Sequence, residues 1–392
     1  MCRGKLAFIH MKELIESLTI RGFRGFSELT IPAFGKVNLI TGKNNAGKSS
    51  VLEAIRILVS KGSQEALRSI LLYREEISNF SRSGPGFDSV IEGADFDLVR
   101  SLFLNFPDVL SQGHPAEFSV KTTGRISDQF SEINIKSTWI TRRKNDDESI
   151  ISPYVEMPDE RFGEEGGMPG LSLQIGDQIY HAPLTSILRP RIYPSRNPLT
   201  DSTNAYIYLD PFSSKSTGQL GKLWDEIALT DAQETVLSAL QIVSPDIMAV
   251  SMIGGDDRSI SGRTAIVRSK KFSNPVPLRS YGDGLNRLFG IILSLCNAEN
   301  RILLIDEIEN GLHYSVQPLV WKTIFQLAQD LNVQVFATTH SHDCIRAFQQ
   351  AAADSPSEGQ LTRLTRKDDF VIPTLFSEDE LQIIVDNDIE VR

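Results

Sequence analysis

The chain has 392 residues, 41% hydrophobic and 23% charged, a balance that excludes a disordered polypeptide and suits one elaborated α/β core. Fifty Asp and Glu against forty Lys and Arg give a formal net charge of -10, the wrong sign for tight, indiscriminate binding to nucleic acid. Cys2, Cys296 and Cys344 are too scattered for a zinc clamp or a disulfide framework, and no apolar run approaches the roughly 18 residues of a spanning helix.

Residues 1–10 read as an N-terminal extension too poor in apolar residues for a secretory signal, with Met11 as an alternative start; a cytoplasmic location follows. Leu18 to Phe26 reads as a strand and turn, and Val37 to Ile40 as a buried strand running into Gly42-Lys43-Asn44-Asn45-Ala46-Gly47-Lys48-Ser49. After Ser50, the residues Val51, Leu52, Ile55, Leu58 and Val59 recur at helical spacing. The plain alternative is a glycine-rich turn, but strand, glycine loop and amphipathic helix in this order form a P-loop. Its backbone N–H groups would converge on phosphate oxygens, Lys48 would neutralise β/γ charge, and the Ser49 hydroxyl would complete a Mg²⁺ shell. The cofactors implied are ATP and Mg²⁺.

From Gly62 to about Tyr180 the pattern weakens into loop clusters between short alternating strands at Phe118–Lys121, Ile133–Ile135 and Leu171–Ile175, read as an antiparallel lobe with insertions. Leu220, Leu223, Trp224 and Ile227 mark a helix, and Thr230 to Gln233 reads as a capping box opening the next. Strands are expected near 247–253, 264–267, 301–306 and 333–337, and helices over 284–295 and 316–331. The fold class is therefore α/β, a P-loop NTPase with a mixed, mostly parallel sheet covered on both faces, an antiparallel lobe and helical insertions. The expected division is an extension at 1–10, an N-lobe at 11–217, a helical segment at 218–245 and a C-lobe at 246–392.

About 250 residues after the P-loop, Ile302 to Ile305 is an apolar strand ending in Asp306 and Glu307. Asp306 would emerge at the carboxyl edge of the sheet to hold Mg²⁺, and Glu307 would act as general base for water. The bland reading is a strand that simply ends in two acids; the P-loop upstream favours the catalytic pair.

Ser280-Tyr281-Gly282-Asp283-Gly284, opening an apolar helix, resembles a degenerate signature of the ABC-class ATPases; the plain alternative is an N-capped core helix. The resemblance implies that Ser280, Gly282 and Gly284 of one subunit face the γ-phosphate held by another, and so an ATP-closed homodimer. Asn310-Gly311-Leu312-His313 matches that class's D-loop and His340 its switch histidine. Tyr193 to Asn197 also resembles a segment of the wider family, with Arg196 either near the nucleotide or a solvated charge, and Gln174 and Gln178 are Q-loop candidates by order alone.

Residues 18–56 and 278–345 most resemble the soluble AAA15/AAA21-type ATPases, which include the ATPase half of OLD-family (overcoming lysogenisation defect) proteins and are related to RecF and the SMC proteins. Members commonly act in DNA repair or phage defence. The chain lacks the long heptads and cysteine hook of coiled-coil relatives. It offers Asp386-Asn387-Asp388 only at its end, without the roughly 100 residues of a Toprim nuclease domain, so Ser377 to Asn387 reads as a capped helix. The expected partner is a separate Toprim-like nuclease or other effector, with no membrane role. Direct DNA binding and a scaffold with negligible turnover are the alternatives.

Overall fold

The computed structural model describes residues 15–77, 98–107, 115–123, 131–142, 154–157, 167–188, 205–211, 217–254, 263–354, 358–377 and 380. The N-terminal elements are β1 (Leu18–Phe23), β2 (Phe26–Ile31), β3 (Val37–Thr41), α1 (Lys48–Val59) and α2 (Gln64–Tyr73). Next come β4 (Glu117–Lys121), β5 (Glu132–Arg142), β6 (Tyr154–Glu156), β7 (Met168–Ile175), β8 (Gln178–Pro183), α3 (Leu184–Leu188) and β9 (Tyr206–Leu209). Then follow α4 (Thr217–Ile227), α5 (Asp231–Val243), β10 (Ile247–Ile253), β11 (Thr264–Ser269), β12 (Val276–Pro277) and α6 (Asp283–Asn297). The last elements are β13 (Ile302–Ile305), α7 (Gln317–Asp330), β14 (Gln334–Thr338), α8 (His342–Ala353), β15 (Gly359–Lys367) and β16 (Phe370–Phe376).

A six-stranded sheet in the order β16-β15-β3-β14-β13-β9 is the heart of the molecule. Every pairing in it is parallel except β15 with β16. Its central strands are buried throughout and split their side chains between two cores. Leu303, Ile305, Val335 and Ala337 face the helices α6, α7 and α8, whereas Ile302, Leu304 and Phe336 face α1 and the antiparallel lobe. That lobe is a seven-stranded antiparallel sheet, β2-β1-β4-β5-β7-β8 with β6 beside β5. It thus recruits β1 and β2 as well as the expected segment between Gly62 and Tyr180. A small sheet of β10, β11 and β12 leads into the start of α6.

Ionic contacts fasten the lobe to α1. Buried Arg24, in the β1–β2 turn, donates from Nε to Glu53 Oε2 at 3.1 Å, and Arg74 Nε donates to Glu53 Oε1 at 2.6 Å. Removing one partner would strand a buried charge, so the network ties the lobe's position to the helix that starts at the phosphate loop.

One local expectation changes. Thr230 is the N-cap of α5 but its hydroxyl turns back to Ile227 O at 2.7 Å, while Gln233 Oε1 accepts from Leu229 N; the capping box is not formed. By contrast Glu380 N donates to Ser377 Oγ and Ser377 N to Glu380 Oε2, a reciprocal box; the helix expected beyond it, with Asp386 and Asp388, lies outside the described residues. Lys271 is paired with Asp246 at 2.9 Å. No described helix is long and apolar enough to cross a membrane.

Candidate nucleotide site

β3 delivers the chain into the glycine loop at the carboxyl edge of the parallel sheet. Gly42 (φ 148°), Asn45 (φ 63°) and Gly47 (φ 95°) all take left-handed conformations. Space demands glycine too: a Cβ on Gly47 would fall 2.5 Å from the Phe26 ring, and one on Gly42 would collide with the Leu364 carbonyl of β15. Arg366 Nε donates to Asn45 O at 3.1 Å, fastening the loop from outside. Lys48 Nζ curls over its own loop, donating to Gly42 O at 2.8 Å and Lys43 O at 3.1 Å. Burial lowers its pKa, opposed by the nearby carboxylates Glu309, Asp306 and Glu307.

The parallel register sets Ile305 of β13 between Ala337 of β14 and Leu209 of β9, so the next residue, Asp306, leaves the sheet level with Thr338 and Asp210. Asp306 is 2% exposed. Its Oδ1 accepts from Ser49 Oγ at 3.2 Å and from Thr338 Oγ1, and its Oδ2 accepts from Tyr208 Oη at 3.4 Å. Glu307 sits at φ 46°, held there by its N–H to Thr338 Oγ1 at 2.9 Å; Asn310 Nδ2 donates to Glu307 Oε2 at 2.9 Å. A carboxylate aimed by an amide at the sheet edge has the chemistry of a water-orienting base. His340 is attached through Glu309, whose Oε1 lies 3.0 Å from His340 Nδ1 and accepts the His340 backbone N–H.

Ser49 and Asp306 offer a hydroxyl and a carboxylate within hydrogen-bond distance of each other, both hard oxygen donors. Mg²⁺ takes one or two such protein ligands and fills its shell with phosphate oxygens and water, so the residues fit that ion.

The signature residues lie elsewhere. Gly282 (φ 103°) caps α6 in open space, and Gly284 packs on the Gly311 carbonyl, which a Cβ would approach to 3.2 Å; neither glycine has the phosphate loop among its close neighbours. Arg287, buried on α6, ties this face to the acids: it donates to Asp210 O at 2.8 Å, Asp306 O at 3.2 Å and Glu307 O at 3.4 Å.

Of the Q-loop candidates, Gln174 and Gln178 sit on the β7–β8 hairpin of the antiparallel lobe, the first donating to Gly176 O and the second accepting from Tyr180 Oη. Arg196 and its segment lie outside the described residues. The residue at the strand end beside Asp306 is Asp210, which sequence reasoning missed along with Tyr208, Thr338, Arg287 and Glu309. A signal was there: Tyr206-Ile207-Tyr208-Leu209-Asp210 repeats the pattern of an apolar strand ending in an acid. Its neighbour Tyr208 is pushed up out of reach of titration by burial and by Asp306.

Residues 11–176 and 200–345 match the AAA_15 family, the AAA ATPase domain. The chain belongs to this family. An ATP/GTP phosphatase of Helicobacter pylori is 25% identical to this AAA_15 chain over 393 residues, covering 96% of it and 99% of the relative. Shorter likenesses join it to a DNA replication and repair protein RecF of Idiomarina loihiensis, 50% identical over 44 residues, covering 11% of this chain and 12% of the relative. A DNA double-strand break repair Rad50 ATPase of Archaeoglobus fulgidus is 40% identical over 87 residues, 22% of this chain and 10% of the relative. A crystal structure of an SMC head bound to the C-winged helix domain of ScpA superposes with a TM-score of 0.52 at 14% identity, covering 93% of this chain and 98% of that one. The fold is therefore that of the SMC-head class, and this AAA_15 protein is an ATPase.

Proposed function

We propose that the chain is an ATP-closed dimeric switch that controls a separate effector, of the Toprim-like nuclease class, in defence against phage. The observation that carries it is the division of the site. Ser49 of the glycine loop meets Asp306 at the sheet edge within one subunit, while Gly282 stands at a helix start with nothing within 4 Å of where a Cβ would be. A helix N-terminus with small residues attracts an anion, and the γ-phosphate of a second copy supplies one. In this reading Lys48 binds the β/γ-phosphates, Ser49 and Asp306 hold Mg²⁺, Glu307 is the general base, and His340 reports on the γ-phosphate through Glu309. Ser280, Gly282 and Gly284 act from across the interface, while Asn310 holds Glu307 within its own subunit. The segments 11–217 and 246–392 act as one body, since β3 and β9 of the first pair with β13, β14 and β15 of the second, and the closure is between two copies.

Light scattering of Glu307→Gln with Mg·ATP tests the switch: a dimer with ATP that dissociates with ADP is expected, and a monomer in both states refutes it. Co-purification of a nuclease encoded beside this gene tests the effector.

The RecF and Rad50 likenesses favour a second reading, an ATPase that itself grips duplex DNA. Binding that weakens steeply with salt and strengthens with ATP supports it; no binding at low salt removes it.

A further inference from the structure

Beside the nucleotide site, on the β9 side, lies a cavity of about 320 Å³ that ATP binding and hydrolysis leave unassigned. Its wall is shared with the catalytic centre, because Tyr208, which lines it, is the tyrosine whose hydroxyl reaches Asp306. Two features make it a place for an anion. The first is the N-terminus of the ten-residue helix α2, whose N-cap Ser63 and first-turn residue Ala66 both line the cavity. Ser63 Oγ accepts from Ala66 N at 3.2 Å, and the amides of Gln64 and Glu65, which have no intrahelical acceptor, carry the positive dipole end. The second is Arg56. It is 4% exposed, stacks 4.1 Å from the Tyr208 ring centroid and gives Nη2 to Ser69 Oγ at 2.6 Å, yet its Nη1 is buried with no acceptor. An unmet guanidinium N–H is unfavourable, and an oxyanion in the cavity offers it an acceptor once a small turn of the side chain brings Nη1 to the cavity wall.

The anion this enzyme produces one wall away is orthophosphate. We infer that the cavity between α1, α2 and β9 is a transit site for phosphate leaving the nucleotide site, with Arg56 and the first turn of α2 as its receiving groups. The carboxylates Glu65 and Asp210 also line the cavity. They oppose a resident dianion, so the site passes phosphate on instead of storing it. Tyr208 links occupancy to chemistry, since it touches both Arg56 and Asp306. This inference rests on ATP hydrolysis and is independent of the dimer and of any effector.

Two variants test it from opposite sides: Arg56→Gln removes the cation, and Ala66→Leu fills the cavity while keeping Arg56. ATP cleavage is followed by chemical quench, and phosphate release by a fluorescent phosphate-binding protein. In both variants, release should fall at least fivefold behind cleavage relative to wild type, with the cleavage rate itself within twofold. Added inorganic phosphate at saturating Mg·ATP should inhibit wild type and be at least fivefold less effective on either variant. Release that keeps step with cleavage in Ala66→Leu, or phosphate that only competes with ATP in wild type, overturns the proposal. So does a loss of cleavage in the quench with folding intact, which would assign Arg56 to the chemical step. If Arg56→Gln does not fold, Ala66→Leu decides alone.

Discussion

The helices α1 and α6 begin alike and are held differently. Each is capped by a glycine at positive φ with no side-chain cap, Gly47 at φ 95°, ψ 14° and Gly282 at φ 103°, ψ 157°. Gly47 is hemmed in by Phe26, and the loop before it is tied by Lys48, Arg366 and the Leu364 carbonyl; Gly282 meets nothing. The same backbone device is finished internally in one case and left open in the other. The first helix start is packed by its own chain, whereas the second is open to solvent.

Breaking the enclosed side should have the largest effect. Gly47→Ala combines a left-handed Cβ with overpacking on Phe26, each typically costing about 1–3 kcal/mol, so calorimetry should find stability down by several kcal/mol and ATP binding lost. Glu307→Gln should keep ATP binding while steady-state phosphate production falls by about 10²–10⁴-fold, the usual cost of losing a positioned base. Thr338→Val removes the hydroxyl shared by Asp306 and the Glu307 N–H, and denaturant unfolding should register about 1–3 kcal/mol, with weaker Mg²⁺-dependent nucleotide binding.

On the open side, Gly282→Ala should cost about 1–3 kcal/mol in stability, because φ 103° with ψ 157° strains any Cβ although no clash compounds it. If the signature acts across a dimer, its ATPase loss should grow on dilution of wild type and variant mixtures; a loss independent of protein concentration would close the comparison. The smallest expected effect comes from pH. Lys48 binds phosphate as the ammonium, and burial lowers its pKa, so affinity for a non-hydrolysable ATP analogue should be flat at neutral pH. It should then fall as pH rises through that lowered pKa, earlier than an ordinary lysine would allow. Titration calorimetry across the alkaline range checks it.

Local patterns made much of the fold legible. Val37–Ile40, the glycine loop and Val51–Val59 announce strand, turn and helix, because each is a contiguous run whose period reports its own backbone. The strands at Ile302 and Gln334 and the helices α6 and α7 also emerge within a residue or two of their expected bounds. The ladder that places β15 against β3, and so Leu364 against Gly42, was not legible, since a parallel neighbour from over 300 residues away leaves no mark on either segment alone. Thr338, Tyr208 and Arg287 escaped for a related reason: each is an ordinary residue of a buried strand or helix until the register sets it beside Asp306.

The sequence by itself determined the chemistry on offer: a phosphate loop, an acidic strand end, a signature-like helix start and an order that places them in one ATPase class. Those features are local, and spacing along the chain suffices to state them. The tertiary structure alone decided which groups share a site. Strand register brought Ser49, Thr338 and Tyr208 onto one carboxylate, sent Gln174 and Gln178 to a distant hairpin, and set Asp210 beside Asp306. It also left Gly282 facing outward and Arg56 with a buried, unmet donor, because burial and distance are properties of the packed whole.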